Sequence, residues 1–270
     1  MELTDSHCHI HEAVADLGFA SESHKKWLAA GRTDPDAIIE DAAAVGVTKM
    51  VCIGTTLNDS RQAIKFVADR PGLWATIGIH PHEAADHLAN ESWADFAALA
   101  TAPKVVAVGE IGLDYFYDHS PRDQQIELLH KQLQLAIEHN LPVCFHVRDA
   151  FQDFWPIFDQ YQGLRGVMHS FTDNQANLDE ALRRGLYVGV NGIVTFAKDP
   201  AQLAVYKAIP KDRLLVETDA PYLTPAPYRG TICEPKHVRV TAEFLAQLRS
   251  ENFAELAATT SQNAARLFGL

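Results

Sequence analysis

Leu3-Thr4-Asp5-Ser6-His7-Cys8-His9 decides how the chain folds. The run starts as an extended segment and ends in two histidines one residue apart. Successive side chains on a strand point to opposite faces, so His7 and His9 share one face and Cys8 takes the other. A doubly wound open sheet usually follows its first strand with a glycine-rich phosphate loop. Imidazoles at that place suit the mouth of a barrel instead, where strand ends carry the chemistry.

Seven further short runs rich in Val, Ile or aromatic residues follow the first, which spans 3–9. They lie at 49–54, 73–80, 105–111, 141–147, 166–170, 186–191 and 213–219. Helical patterns separate them. Asp34-Pro35 reads as N-cap and first helical residue, with Gly46 past the end of that helix. Asn58 or Asp59 is the expected cap of the next. Ile126, Leu129, Leu133, Ala136 and Ile137 recur at helical spacing through 123–139. A helix over 173–184 stops before Gly185, and helices over 235–249 and 253–267 complete the pattern. No internal repeat, linker or low-complexity tract interrupts the alternation. It predicts an α/β fold, a (β/α)8 TIM barrel in a single domain covering 1–270. The segment 12–32, with Trp27, reads as a long first loop that partly covers the mouth.

With that register, the expected strand ends line up chemically. His7 and His9 close the first strand, His80 the third, Glu110 the fourth, His146 the fifth, His169 the sixth and Asp219 the eighth. Any one of them has an ordinary structural use. Together they put metal-ligand residue types at one barrel face. Imidazole and carboxylate donors suit zinc, manganese or iron. Six ligands exceed what one tetrahedral zinc with an open position can take. Two divalent cations sharing a carboxylate use them all, with His7, His9 and Asp219 on one, His146 and His169 on the other, and Glu110 between. Such a pair, ~3.5–4 Å apart, acidifies a water and clamps a phosphoryl or carbonyl oxygen.

Other residues admit two uses. Arg148 shares the parity of His146 and either binds a substrate phosphate or makes a salt bridge to a helix. His80 either touches substrate or packs in the mouth. Asp5 and Glu217 lie one layer deeper than His7 and Asp219. They either accept a ligand histidine's free N–H or form an internal salt bridge. Tyr115, Phe116 and Tyr117 either stack on bases or pack. His11, His24, His82, His87, His119, His130, His139 and His237 receive no role.

Composition limits the substrate. The 270 residues are 47% hydrophobic, enough for a large core, and carry a formal charge of −12. A protein that wraps duplex nucleic acid would be basic, so a nucleic-acid substrate would have to be a small target such as a strand end. Cys8, Cys52, Cys144 and Cys233 form no CxxC pair, and no signal peptide or membrane-length apolar run is visible. Reduced thiols in the cytoplasm are expected. No obligate protein partner is expected.

These motifs resemble the TatD family of metal-dependent deoxyribonucleases. The matching stretches are Asp5 to His9, Gly78-Ile79-His80-Pro81-His82, Gly109-Glu110-Ile111-Gly112-Leu113-Asp114-Tyr115, Pro142 through Ala150, His169-Ser170-Phe171 and Glu217 through Leu223. They run in family order over nearly the whole chain. The resemblance implies an amidohydrolase-like barrel cleaving nucleic-acid phosphodiesters, with two divalent cations (zinc, manganese or magnesium). It implies a DNA substrate, single-stranded or frayed, degraded from an end, most simply the 3′ end. Asp219 then orients the attacking water or takes its proton, Glu110 bridges the cations, and His80 and Arg148 contact substrate. Two stretches depart from the family pattern: Ile232-Cys233 stands before Glu234-Pro235 where members carry Asn, and the first loop around Lys25 to Arg32 is longer. They leave open an ester, amide or aminoacyl-ester substrate for the same metals. A non-catalytic metal-binding protein is the third reading.

Overall fold

Polar residues are expected to be rare in parallel strands covered on both faces, yet β1 (Leu3–Cys8) is buried along its whole length and holds Thr4, Asp5, Ser6 and His7. The structure, a computed structural model, describes residues 2–18 and 21–270. In chain order the remaining elements are α1 (Glu22–Ala29), α2 (Pro35–Ala44), β2 (Val47–Cys52), α3 (Leu57–Val67), β3 (Leu73–Ile77), α4 (Ala84–Asn90), α5 (Trp93–Ala97) and β4 (Val105–Asp114). Then come α6 (Arg122–Glu138), β5 (Val143–Arg148), α7 (Phe151–Phe158), β6 (Gly166–Met168), α8 (Gln175–Arg183), β7 (Tyr187–Val190), α9 (Pro200–Ala208), β8 (Leu214–Val216), α10 (Val238–Arg249) and α11 (Phe253–Phe268). That is the element order of a (β/α)8 barrel. Two compact units are distinguishable: the described residues of Met1–Cys52 with Ser170–Arg266, and Ile53–His169 with Leu267–Leu270.

In the first unit β1 pairs in parallel with β2, and β7 with β8. Beyond its last residue β8 meets β1. Asp219 N–H donates to His7 O (2.9 Å) and His9 N–H to Ala220 O (2.8 Å). The last strand of the chain thus lies beside the first, as closure of a barrel requires. The polar side chains of β1 serve this junction: Ser6 Oγ donates to Val216 O at 3.0 Å, and Asp5 receives Thr218. Asp34 caps α2 with Pro35 at its first position, and Gly46 follows with φ of 88°, as the sequence predicts.

The segment 12–32 is not an open loop. Its residues 19 and 20 lie outside the described residues, and its second half forms α1, capped by the Ser21 side chain, which accepts from His24 N–H. Trp27 is fully buried and donates its Nε1–H to His9 O at 3.2 Å. Glu-Ser-His-Lys-Lys-Trp-Leu-Ala has too little apolar periodicity to announce a helix. One aromatic anchor and a good cap hold it against the end of β1.

In the second unit β3, β4, β5 and β6 pair in parallel in that order. Thr56 caps α3, where Asn58 or Asp59 was expected. Thr56 Oγ1 accepts from Asp59 N–H, and the Asp59 carboxylate turns back to Thr55 N–H at 2.8 Å. A cap must precede the first helical turn to reach its free N–H groups, and Asp59 sits one turn too late. β4 also runs three residues past its expected end. Gly112, at φ of 154°, lies so close to β5 that a Cβ would collide with the His146 carbonyl. Only glycine allows that approach, and it carries the strand on to Asp114, paired with Arg148.

Buried glutamines of α6 hold the ends of two strands. Gln132 accepts from Ile79 N–H and donates to Ile79 O, which sets the backbone just before His80. Gln125 does the same for Asp114. On β5, Phe145 packs edge to face on Phe154 and Phe158 of α7, with centroids 5.1 and 5.7 Å apart. Its neighbour His146 consequently leaves the opposite face.

Candidate metal centre

The first unit brings His7, His9 and Asp219 together. His7 Nε2 lies 3.5 Å and His9 Nε2 3.4 Å from the same atom, Asp219 Oδ1. The two imidazoles meet edge to face, 5.3 Å apart, and both are buried. Asp219 holds φ at 62°, a left-handed conformation that costs a non-glycine residue on the order of 1–3 kcal/mol. Its N–H is tied to His7 O and its carbonyl accepts from Tyr222 N–H at 2.8 Å, so the turn aims the carboxylate at the imidazoles.

Asp5 sits beneath this group. Its carboxylate accepts from Thr218 N–H (2.9 Å), Thr218 Oγ1–H (2.6 Å) and His7 N–H (3.3 Å). Burial pushes its pKa well above the ordinary value. The sequence suggested support of a histidine ring or a salt bridge, and Asp5 provides neither. Thr218 offers it two donors, and through them Asp5 locks the peptide that leads into Asp219. Glu217 Oε1 accepts from Ser170 N–H at 2.7 Å.

The second unit gathers three histidines around Glu110. Its Oε1 lies 2.8 Å from His146 Nδ1, 3.6 Å from His169 Nε2 and 3.7 Å from His80 Nε2. Gly78 makes room for this, since a Cβ there would strike the Gly109–Glu110 peptide. Burial, reinforced by the neighbouring His146, lowers the pKa of His80 well below that of an ordinary histidine. His146 goes the other way. Burial opposes its charge, but Asp114 and Glu110 outweigh it and raise its pKa to about 9.

Asp114 is the residue that sequence reasoning missed. It is fully buried and accepts four hydrogen bonds. Oδ2 takes His146 Nε2 at 2.9 Å and His82 Nε2 at 3.0 Å; Oδ1 takes the N–H groups of Phe116 (3.0 Å) and Tyr117 (2.9 Å). Burial alone would raise its pKa, but these donors hold it far below the usual carboxylate range. Ending the fourth strand at Ile111 hid Asp114. The signal was present in its parity with Glu110 and in Gly112 between them. His82, given no role from sequence, is its second partner. Among the described residues Arg148 makes no salt bridge to a helix. Its guanidinium lies over the rings of Phe116 and Tyr117, 4.0 and 4.8 Å from their centroids.

A model of the TatD related DNase family matches residues 4–269. The chain belongs to that family. As a member it is a metal-dependent hydrolase. It is 40% identical over 238 residues to the uncharacterized metal-dependent hydrolase YabD of Bacillus subtilis, covering 87% of this chain and 93% of that one. It is 42% identical over 245 residues to the 3′-5′ ssDNA/RNA exonuclease TatD of Cronobacter sakazakii, covering 87% and 92%. Among solved structures, YjjV, a TatD homologue from Escherichia coli, superposes with a TM-score of 0.82 at 26% identity over 99% of this chain and 98% of that one. The fold class is the expected (β/α)8 barrel.

The donors fit the metals this family implies. Ligands about 2.0–2.2 Å from a tetrahedral cation stand about 3.3–3.6 Å from one another. The contacts of 3.4 and 3.5 Å at Asp219 and of 3.6 Å at Glu110 are long for hydrogen bonds and within the edge lengths of such a polyhedron, and the 3.7 Å contact of His80 lies just beyond them. His80, Glu110 and His146 form one set able to hold an ion. Asp114 completes the arrangement, because a metal-bound imidazole characteristically donates its second N–H to a carboxylate. With Nε2–H of His146 committed to Asp114, Nδ1 is the nitrogen presented at Glu110.

Proposed function

We propose that this enzyme removes nucleotides from an end of single-stranded DNA, working as one barrel over 1–270. His7, His9 and Asp219 would hold one divalent cation and His146 and His169 a second, with Glu110 shared; zinc, manganese and magnesium are the candidates. Bound there, the cations supply electrophilic contacts to phosphoryl oxygens and a water acidified into the neutral range. The remaining work falls to the side chains. Asp219 accepts the water's proton at its carboxylate. His80, kept neutral by burial, donates a hydrogen bond to the phosphate, and Arg148 offsets its charge. The observation that carries the reading is the convergence of His80, His146 and His169 on one oxygen of Glu110 in a chain that is 42% identical to a named single-strand exonuclease. A reducing, cytoplasmic setting suits four cysteines that are all buried and outside any disulfide among the described residues. No helix among the described residues is long and apolar enough to cross a membrane.

The test uses single strands of DNA, and of RNA in parallel, labelled at the 3′ or the 5′ end, with added Mg²⁺, Mn²⁺ or Zn²⁺. The expected result is early release of the 3′ label as a mononucleotide, abolished in Glu110→Gln while the melting temperature changes little. Stable label at both ends, with turnover of simple esters or amides by the same preparation, would overturn the reading.

A further inference from the structure

Phe116 and Tyr117 are adjacent large aromatic residues that keep 55% and 50% of their surfaces in solvent. Their rings meet edge to face, 4.9 Å apart. Exposed rings in a turn are usually free to move, but these are not. The backbone N–H groups of both donate to Asp114, the carboxylate whose other oxygen holds His146. Tyr115, next to them, is tied by its hydroxyl to Asp153 at 2.8 Å, and its N–H donates to Arg148 O at 3.0 Å. One side of the pair is backed by the Arg148 guanidinium. A parallel His119 ring lies 5.7 Å from Tyr117, and His119 in turn meets His82 at 4.6 Å. Aromatic surface is therefore held rigidly in water, in register with the Glu110 histidines, with a cation stacked on it.

We propose that Phe116 and Tyr117 form a platform on which the unpaired terminal base of a single-stranded nucleic acid stacks, with Arg148 beside it for the adjoining phosphate. This rests on the nucleic-acid reading of the site. Every base has a π-face, so stacking tolerates any sequence. A paired base keeps both faces in the duplex stack and has none to give, so the platform selects frayed or single-stranded ends. The cation over the rings suits an anionic strand better than an apolar peptide. A rigid platform also sets the distance from the stacked base to its own phosphodiester, and with it how the scissile bond meets Glu110 and His146.

Phe116→Ala, Tyr117→Ala and the double variant test this, with far-UV dichroism confirming the fold. Two strands are compared, one ending in 2-aminopurine and one in an abasic residue, each carrying an uncleavable methylphosphonate at its terminal linkage. The wild type is expected to quench the 2-aminopurine emission and to bind that strand about tenfold more tightly than the abasic one, the scale of one stacked base. The double variant is expected to lose the quenching and bind both strands alike. Equal binding of the two strands by the wild type, or unchanged quenching in the double variant, overturns the platform even if cleavable strands are hydrolysed. Ring-dependent quenching without hydrolysis of any strand supports the platform and removes the nuclease reading instead.

Discussion

Asp114→Asn changes one atom's chemistry at the centre of a buried junction. The carboxylate accepts two imidazole and two backbone N–H groups with two oxygens. The amide keeps one oxygen, and its NH₂ must face two donors wherever it points. Hydrogen bonds to a charged group contribute about 1.5–3 kcal/mol each, so two are weakened and one side is left donor against donor. Relaxation recovers part of this, and a loss of about 2–4 kcal/mol is expected. That corresponds to a fall of roughly 4–7 °C in melting temperature for a chain of this size. The second consequence is functional. His146 loses the partner that fixes its Nε2–H, and metal affinity at the Glu110 side should drop about 10–100-fold. Because Asp114 supports a ligand without being one, saturating Mn²⁺ should restore most of kcat while the metal concentration for half-activity stays raised. Thermal melts and metal titration of the same preparations measure both effects. Unchanged metal affinity together with a normal melt would refute the argument. Lost kcat at saturating metal with unaltered metal affinity would refute the positioning role alone.

Asp219→Asn should keep the fold, since the amide fills the same volume and the backbone bonds to His7 and Tyr222 are untouched. It should lower turnover about a hundredfold or more, the scale of a positioned base; near-normal rates with a normal dichroism spectrum would confine Asp219 to its turn. In metal-free protein, His146 has a pKa raised to about 9 by Asp114 and Glu110. Its pairing therefore stabilises fully below about pH 6.5, the unfolded value, and that stability fades as pH rises through about 9. Metal must displace a proton from the same imidazole. Affinity at the Glu110 side should climb about tenfold per pH unit between pH 7 and 9 and level off above. Calorimetric titration in buffers of different ionisation enthalpy checks the proton release, and a flat pH profile would contradict it.

The strand-end histidines were legible because two simple periodicities coincide: alternation along each strand and recurrence of strands along the chain. His7, His9 and Asp219 in the first unit, and Glu110, His146 and His169 in the second, need only those rules to be grouped as they are. What stayed hidden depends on contacts that no period encodes. Asp114 falls past the expected strand end because Gly112 extends the pairing through a close approach, a tertiary fact. The α1 helix hides in a polar stretch held by its Ser21 cap and by buried Trp27 and His24. Arg148 was expected to reach for a phosphate or a carboxylate, and it lies on aromatic rings that only the Asp114-pinned turn brings under it.

On the proposed nuclease reading, charge explains why metal and nucleic acid should bind in that order. The formal charge is −12, and each of the two sets is built around carboxylates. At the Glu110 side one imidazolium, His146, sits between two carboxylates, and that cluster carries a net negative charge before any ion arrives. A phosphodiester brought to such a site would meet repulsion, and the guanidinium of Arg148 lies over the Phe116 ring. A dication held at Glu110 would expel the His146 proton and so add one net positive charge instead of two, which would bring that cluster from net negative to neutral. The repulsion of an anion would then be removed, with the site less positive than ligand counting suggests. That moderate field favours one phosphate held by its neighbours over a long duplex held by its backbone. Base stacking on Phe116 and Tyr117 would supply affinity that the acidic surface withholds, which is why the two rings can stay exposed on this chain without being surplus apolar surface.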